Sequence, residues 1–168
     1  MNVSAVGLSR YQIRKITNTV RKALGLEDQL FFPIVEVIEL MACDDNNDFN
    51  YEILSEHEMT DTYGTTNTWT NTMKIRKDVY EGAVNGRARD RFTLCHELGH
   101  YFLHRPEMIS NARGKVPTFR NPEWQANTFA GEIMAPCSLI HDMTIEEISE
   151  ECGMSYTAAA IQFEKVHS

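Results

Sequence analysis

Between Arg91 and His104 the chain reads RFTLCHELGHYFLH, and no other stretch restricts the fold as tightly. Phe92, Leu94, Leu98, Phe102 and Leu103 fit a helix that turns one face into a core. The pattern predicts a helix from about Arg87 to His104, ended by Pro106. His96 and His100, four residues apart, project about 40° apart around a helix axis and can share one ion through their ring nitrogens. Glu97 sits between their turns, within reach of a water at that ion without binding the ion itself. Two imidazoles that hold zinc and a carboxylate that takes a proton from water is the chemistry this spacing serves. The same spacing also arises where surface histidines simply pair with a glutamate, so the rest of the ligand set has to decide.

A catalytic zinc site needs a third protein ligand and an open fourth position. His104 continues the four-residue series but lies roughly 12 Å from His96 along a straight helix, too far to share the ion; it is expected to pack or to support a ligand. The H-E-x-x-H-x-x-G-x-x-H solution is excluded, because Leu103 and Pro106 occupy the later Gly and His positions. Asn121-Pro122 predicts a helix start, a capping residue followed by proline in the first turn. That helix runs to about Met134 and carries Glu123 in its first turn, with Asn127 four residues on. Glu123 is the leading third ligand, and Asn127 can accept the outer N–H of a ligand histidine. Glu107 follows the motif too closely and ranks a distant second, while Glu132 should face elsewhere, about half a turn around from Glu123. Cys95 points about 100° away from His96. Cys43, Cys95, Cys137 and Cys152 make no C-x-x-C; they are expected to be reduced and mostly buried. His57, His141 and His167 have no companion at ligand spacing.

Two blocks, VYEGAVNGRARDRFTLCHELGHYFLH (79–104) and EWQANTFAGEIMAP (123–136), resemble in order and spacing the ImmA/IrrE family of zinc metallo-endopeptidases. The resemblance implies a compact zincin-like α+β fold, with a small, mostly antiparallel sheet packed on the H-E-x-x-H helix and further helices around it. It implies one zinc per chain held by His96, His100 and Glu123, with Glu97 as general base and acid. It further implies a protein substrate, in several members a helix-turn-helix repressor of a phage or mobile element. Asn127 departs from the pattern, since related gluzincin sites often carry Asp there.

The remaining sequence is consistent with one domain over 1–168. Ser9 caps a helix to Leu24 with Gly25 beyond it, Pro33 starts another, and FNYEIL (49–54) alternates like a strand. YGTTNTWTNTMKIR (63–76) is polar and β-leaning, an exposed hairpin or edge strand. An extended substrate could pair with an edge near the active helix; the candidate segment is Thr68–Arg76, chiefly Thr68, Trp69, Thr70, Asn71, Thr72 and Met73. Residues 105–120 carry no period and form a locally basic loop that could cover a cleft. His104 and Tyr80 are possible donors to an oxyanion, and Tyr101 should point off the metal face. TIEEISEECGMSYTAAAIQFEKV imitates a helix-turn-helix, but its glutamates and the net charge of −8 argue against phosphate binding. Residues 144–168 are therefore expected to pack on the domain or to dock a partner, without direct nucleic-acid contact. No apolar run suits a membrane or a signal peptide, so a cytoplasmic location is expected. Two rival readings are a zincin-fold protein that inactivates a repressor by contact alone and a toxin–antitoxin component.

Overall fold

Ser9 opens the first long helix. The structure, a computed structural model that describes residues 2–168, places α1 at Arg10–Ala23. Ser9 Oγ accepts from the Gln12 N–H, and the Gln12 side chain accepts from the Ser9 N–H. This reciprocal cap satisfies two amides that a helix start leaves bare. The chain then leaves the helix through Gly25, whose φ of +73° suits a residue without a Cβ. α2 (Ile34–Cys43) begins after Pro33, which stands at the cap and not inside the first turn. α3 (Lys77–Val84), α4 (Ala88–Leu103), α5 (Pro122–Met134), α6 (Cys137–Ile140), α7 (Ile145–Cys152) and α8 (Tyr156–His167) follow. The strands are β1 (Asn2–Ala5), β2 (Asn50–Leu54), β3 (Gly64–Asn67), β4 (Thr72–Arg76) and β5 (Ile109–Ala112).

The fold is α+β. Its larger sheet has the order β2-β4-β3, with β4 parallel to β2 and antiparallel to β3. Met73 and Ile75, fully buried on β4, join Leu94 and Leu98 of α4 in one core with Phe129 and Ile133 of α5. The H-E-x-x-H helix is thus held between a sheet and a second helix. The aperiodic stretch 105–120 is more ordered than its sequence suggests: β5 pairs antiparallel with β1 from the chain's start. Neither four-residue strand has a hydrophobic period to betray it, and the partners are about a hundred residues apart.

Buried polar anchors fasten the outer helices to this core. Arg21, 1% exposed, donates to the carbonyls of Ile133, Leu26, Gln29 and Leu30, and burial lowers its guanidinium pKa to about 10. Arg91 reaches the Phe32 and Cys152 carbonyls from α4. Glu132 accepts from Arg10, Arg14 and Gln162, which joins α1 and α8 to α5. α7 carries the Thr144–Glu147 capping box, α8 is capped by Ser155, and Ile148, Cys152 and Ala159 sit in the shared core. Residues 144–168 therefore pack on the same body as the metal-motif helix. Among the described residues no helix is long and apolar enough to cross a membrane.

Candidate metal centre

The site depends on how closely α5 can approach α4. A Cβ on Gly99 would lie 3.0 Å from Phe129 Cβ and 3.2 Å from Ala126 Cα, so any larger residue would hold the two helices apart. The backbone that Gly99 admits is that of α5, and the first turn of α5 carries Glu123. Asn121 sets that turn: its Oδ1 accepts from the Glu123 and Trp124 amides, with Pro122 at the first position.

Three donor atoms converge. His96 Nε2 lies 2.9 Å from Glu123 Oε2, His100 Nε2 lies 3.3 Å from the same oxygen, and the two Nε2 atoms are 3.1 Å apart. Donors at tetrahedral corners around an ion with bonds of roughly 2.0–2.1 Å stand about 3.3 Å from one another. The residues present therefore fit one zinc-sized ion on three protein donors. His96, Glu97 and His100 also offer donor atoms within 4.8 Å of one another, but Glu97 stands back, its Oε2 4.0 Å from His96 Nε2. Glu123 is 69% exposed, so the open side of the site faces the cleft.

The charges agree with the geometry. The His100 and then the His96 ring nitrogens beside it hold the Glu123 carboxyl far below its ordinary value, against the opposing effect of burial. Burial depresses the His96 imidazole, but the Glu123 hydrogen bond and the Glu97 and Glu123 charges outweigh it and leave the pKa raised. One carboxylate and two imidazoles form a donor set suited to zinc.

The two imidazoles and the Glu97 carboxylate each have a holder. His96 Nδ1 contacts Asn127 Oδ1 at 2.7 Å. His100 Nδ1 contacts His104 Nδ1 at 2.8 Å, and His104 Nε2 contacts Gln125 Oε1 at 2.9 Å. His104 is 5% exposed, and its desolvation lowers the imidazole pKa to about 4. Thr66 Oγ1 on β3 donates to Glu97 Oε1 at 2.8 Å. Gly64 brings β3 against the same side chain, since a Cβ there would lie 3.1 Å from Glu97 Cγ. Thr66, Gly64 and Gln125 are absent from the sequence-derived site. A lone glycine within a strand pattern was a readable sign of close approach; nothing distinguished Thr66 from the other threonines of its polar segment.

Other expectations are revised. Thr72 and Met73 belong to β4, the central strand, whose two sides are taken by β2 and β3; they offer no edge. Thr68, Trp69, Thr70 and Asn71 form the turn between β3 and β4. The edge beside Glu97 is β3. Tyr80 donates to Glu39 at 2.6 Å and stacks on Tyr51, and both ring nitrogens of His104 are engaged, so neither offers a free donor to an oxyanion. Tyr101 packs edge-on against Phe49. Glu107 is exposed in a 3-10 turn, and Glu132 is committed to its arginines. Cys95 is fully buried, with its thiol pushed up to about 12 by desolvation. Cys152 is buried too, but Cys137 is half-buried and Cys43 exposed.

The cleft runs past both sides of Glu123. Its larger lobe, about 720 Å³, is bounded by Val3, Thr66, Trp69, His100, Val116 and Pro122. A smaller lobe of about 360 Å³ lies along Tyr63, Gly64, Phe92, His96 and Asn127. Trp69, at the turn expected to bind substrate, stands 77% exposed at the mouth of the larger lobe.

The family model described as the IrrE N-terminal-like domain of the M78 peptidases matches residues 50–164. That span holds β2 through most of α8 and all of the side chains that converge on the site. No curated protein and no solved structure matches the chain.

Proposed function

The chain belongs to the M78 peptidase family, and from that premise we propose that it is a zinc-dependent endopeptidase acting on a regulatory protein, a helix-turn-helix repressor being the substrate the family resemblance favours. The observation that carries the reading is the meeting of His96, His100 and Glu123 from two helices at 2.9–3.3 Å, with the Glu97 carboxylate held beside them.

A zinc ion held by His96, His100 and Glu123 would lower the pKa of a water and polarise a carbonyl oxygen. The chain's own groups supply the rest. Glu97 accepts a proton from the attacking water and delivers it to the leaving amine, and the Thr66 hydroxyl bond fixes the carboxylate for both transfers. Asn127 and His104 hold the two imidazoles in place. Substrate lies extended along β3. Arg76 N–H donates to Tyr63 O, so by antiparallel alternation Tyr63, Thr65 and Asn67 turn their backbone groups to β4, and Gly64 and Thr66 turn theirs to the open edge. Those groups suit strand addition by a peptide. The lobe beside Val3, Trp69 and Val116 suits a bulky apolar side chain.

A protein that inactivates its repressor by contact, with the metal as a brace, would leave the repressor whole. A candidate helix-turn-helix repressor is mixed with zinc-loaded wild type and with Glu97→Gln, and products are read by mass spectrometry. Fragments with wild type alone, and equal zinc content in both, are expected. A repressor inactivated without fragments, or cut at the normal rate by Glu97→Gln, refutes the mechanism.

A further inference from the structure

Gln125 lies wholly inside the protein, two residues past Glu123, and all of its polar atoms are in use. Its Nε2 donates to Val6 O at 2.8 Å and to Phe119 O at 2.8 Å, which consumes both amide hydrogens. A flipped amide would set its oxygen against two carbonyl oxygens, so Oε1 is the atom that faces His104 Nε2 at 2.9 Å. His104 must then carry its proton on Nε2. A neutral imidazole has one N–H, which leaves His104 Nδ1 as an acceptor. His100 Nδ1, 2.8 Å away, is the donor to it. With its single proton so placed, His100 presents a bare Nε2 towards His96 and Glu123.

We propose that Gln125 is a positioning residue for the metal, which through His104 fixes the tautomer and ring plane of His100. Ligand histidines ordinarily give their outer N–H to a carboxylate, a carbonyl or water; here the acceptor is a second imidazole whose own state is set by an amide. Thr68 Oγ1 donates to the His104 carbonyl at 2.7 Å and holds the end of α4 while the ring is held from the other side. The relay ends on Val6, just past β1, and on Phe119. Both segments adjoin the cleft, since Val3 and Val116 line its larger lobe. Val6 precedes the matched family span of 50–164, so the relay ties the metal centre to a part of the chain outside it.

The inference rests on the metal-site half of the proposed function, and its test involves no peptide cleavage. Long-range proton–nitrogen spectra of zinc-loaded, nitrogen-15-labelled wild type report each imidazole's tautomer. A scalar coupling across the hydrogen bond reports the His100 Nδ1–His104 Nδ1 pair directly. The expected spectrum has His104 protonated at Nε2 only, with a resolved coupling between the two Nδ1 atoms. Zinc affinity is then measured by competition with a chromophoric chelator. Gln125→Leu and His104→Leu should bind zinc about 10–100-fold more weakly and lose the coupling or the single tautomer. His104→Gln keeps an acceptor and a donor in the same order and should recover most of the affinity. Wild-type spectra with His104 protonated at Nδ1 overturn the proposal whether or not any variant folds. So does a folded Gln125→Leu that binds zinc within threefold of wild type. A wild type that takes up no zinc overturns the metal site itself, a different failure and one visible before any variant is made.

Discussion

Replacing Gly99 with alanine tests whether the α4–α5 spacing sets the metal site. The added Cβ would stand 3.0 Å from Phe129 Cβ, 3.1 Å from Phe129 Cγ and 3.2 Å from Ala126 Cα. Carbon atoms settle at about 3.5–4.0 Å, so α5 has to retreat by roughly half an ångström. Two of these neighbours are main-chain or Cβ atoms, which cannot swing aside as a side-chain tip can. Overpacking costs about 1–3 kcal/mol, and the better helix propensity of alanine returns about 1 kcal/mol, so the metal-free protein should lose no more than about 2 kcal/mol. The metal site has less latitude, because ligand distances tolerate about 0.2 Å and Glu123 rides on the retreating turn. If most of the strain falls there, zinc affinity drops by about 1–3 kcal/mol, roughly 5- to 150-fold. Chelator competition gives the affinity and a urea melt in EDTA gives the stability of the same sample. Zinc binding within twofold of wild type, with the cost visible only in the melt, would refute the claim that Gly99 positions Glu123.

Gly64→Ala pushes on the Glu97 side chain at 3.1 Å and touches no ligand; zinc content should hold while cleavage falls at least about tenfold, and unchanged turnover would contradict the role given to β3. Glu132→Ala strands Arg10, Arg14 and Gln162. The arginines are 21% and 24% exposed and can turn partly to water, so the loss should be near 3 kcal/mol, the lower end for a broken buried pair, and a urea midpoint showing under about 1 kcal/mol would contradict it. The metal-free protein should be most heat-stable near pH 6.5. Protonated His96 stabilises the fold through Glu123, an effect complete below the ordinary histidine value and lost as pH rises through its raised pKa. His104, lowered to about 4, works in the other direction: as pH falls from 6.5 towards 4 it costs up to about 3 kcal/mol. Melts in EDTA from pH 4.5 to 8.5 should show the maximum, and Glu123→Gln should flatten only its alkaline side; a melting temperature that climbs steadily with pH is inconsistent with both assignments.

The local elements were legible wherever a capping residue or a period of apolar side chains announced them. Ser9, Asn121, Thr144 and Ser155 mark helix starts by chemistry that involves only the next three residues. The H-E-x-x-H spacing works in the same way: four residues along a helix carry one imidazole to the next turn, whatever the rest of the chain does. Glu123 was readable at one remove, because a capped helix start with a carboxylate in its first turn is itself a local pattern. The sheet edge proposed for substrate was not. Strand order is a matter of pairing between segments, and the same polar hairpin could have presented either strand outward until β2 took the far side of β4.

The sequence by itself determined that one helix would bury an apolar face and offer two imidazoles and a carboxylate on another, since those properties belong to a single stretch of backbone with a fixed rise and turn. Only the tertiary structure decided what completes them: Gly99 seated under Phe129, Thr66 on Glu97, and the path from His100 through His104 and Gln125 to Val6. Gln125 and Val6 are 119 positions apart, and hydrogen bonds over such separations leave no periodic trace in a sequence. They exist because the packing of α4, α5 and the N-terminal segment buries the Gln125 amide where the Val6 and Phe119 carbonyls and the His104 ring lie within reach.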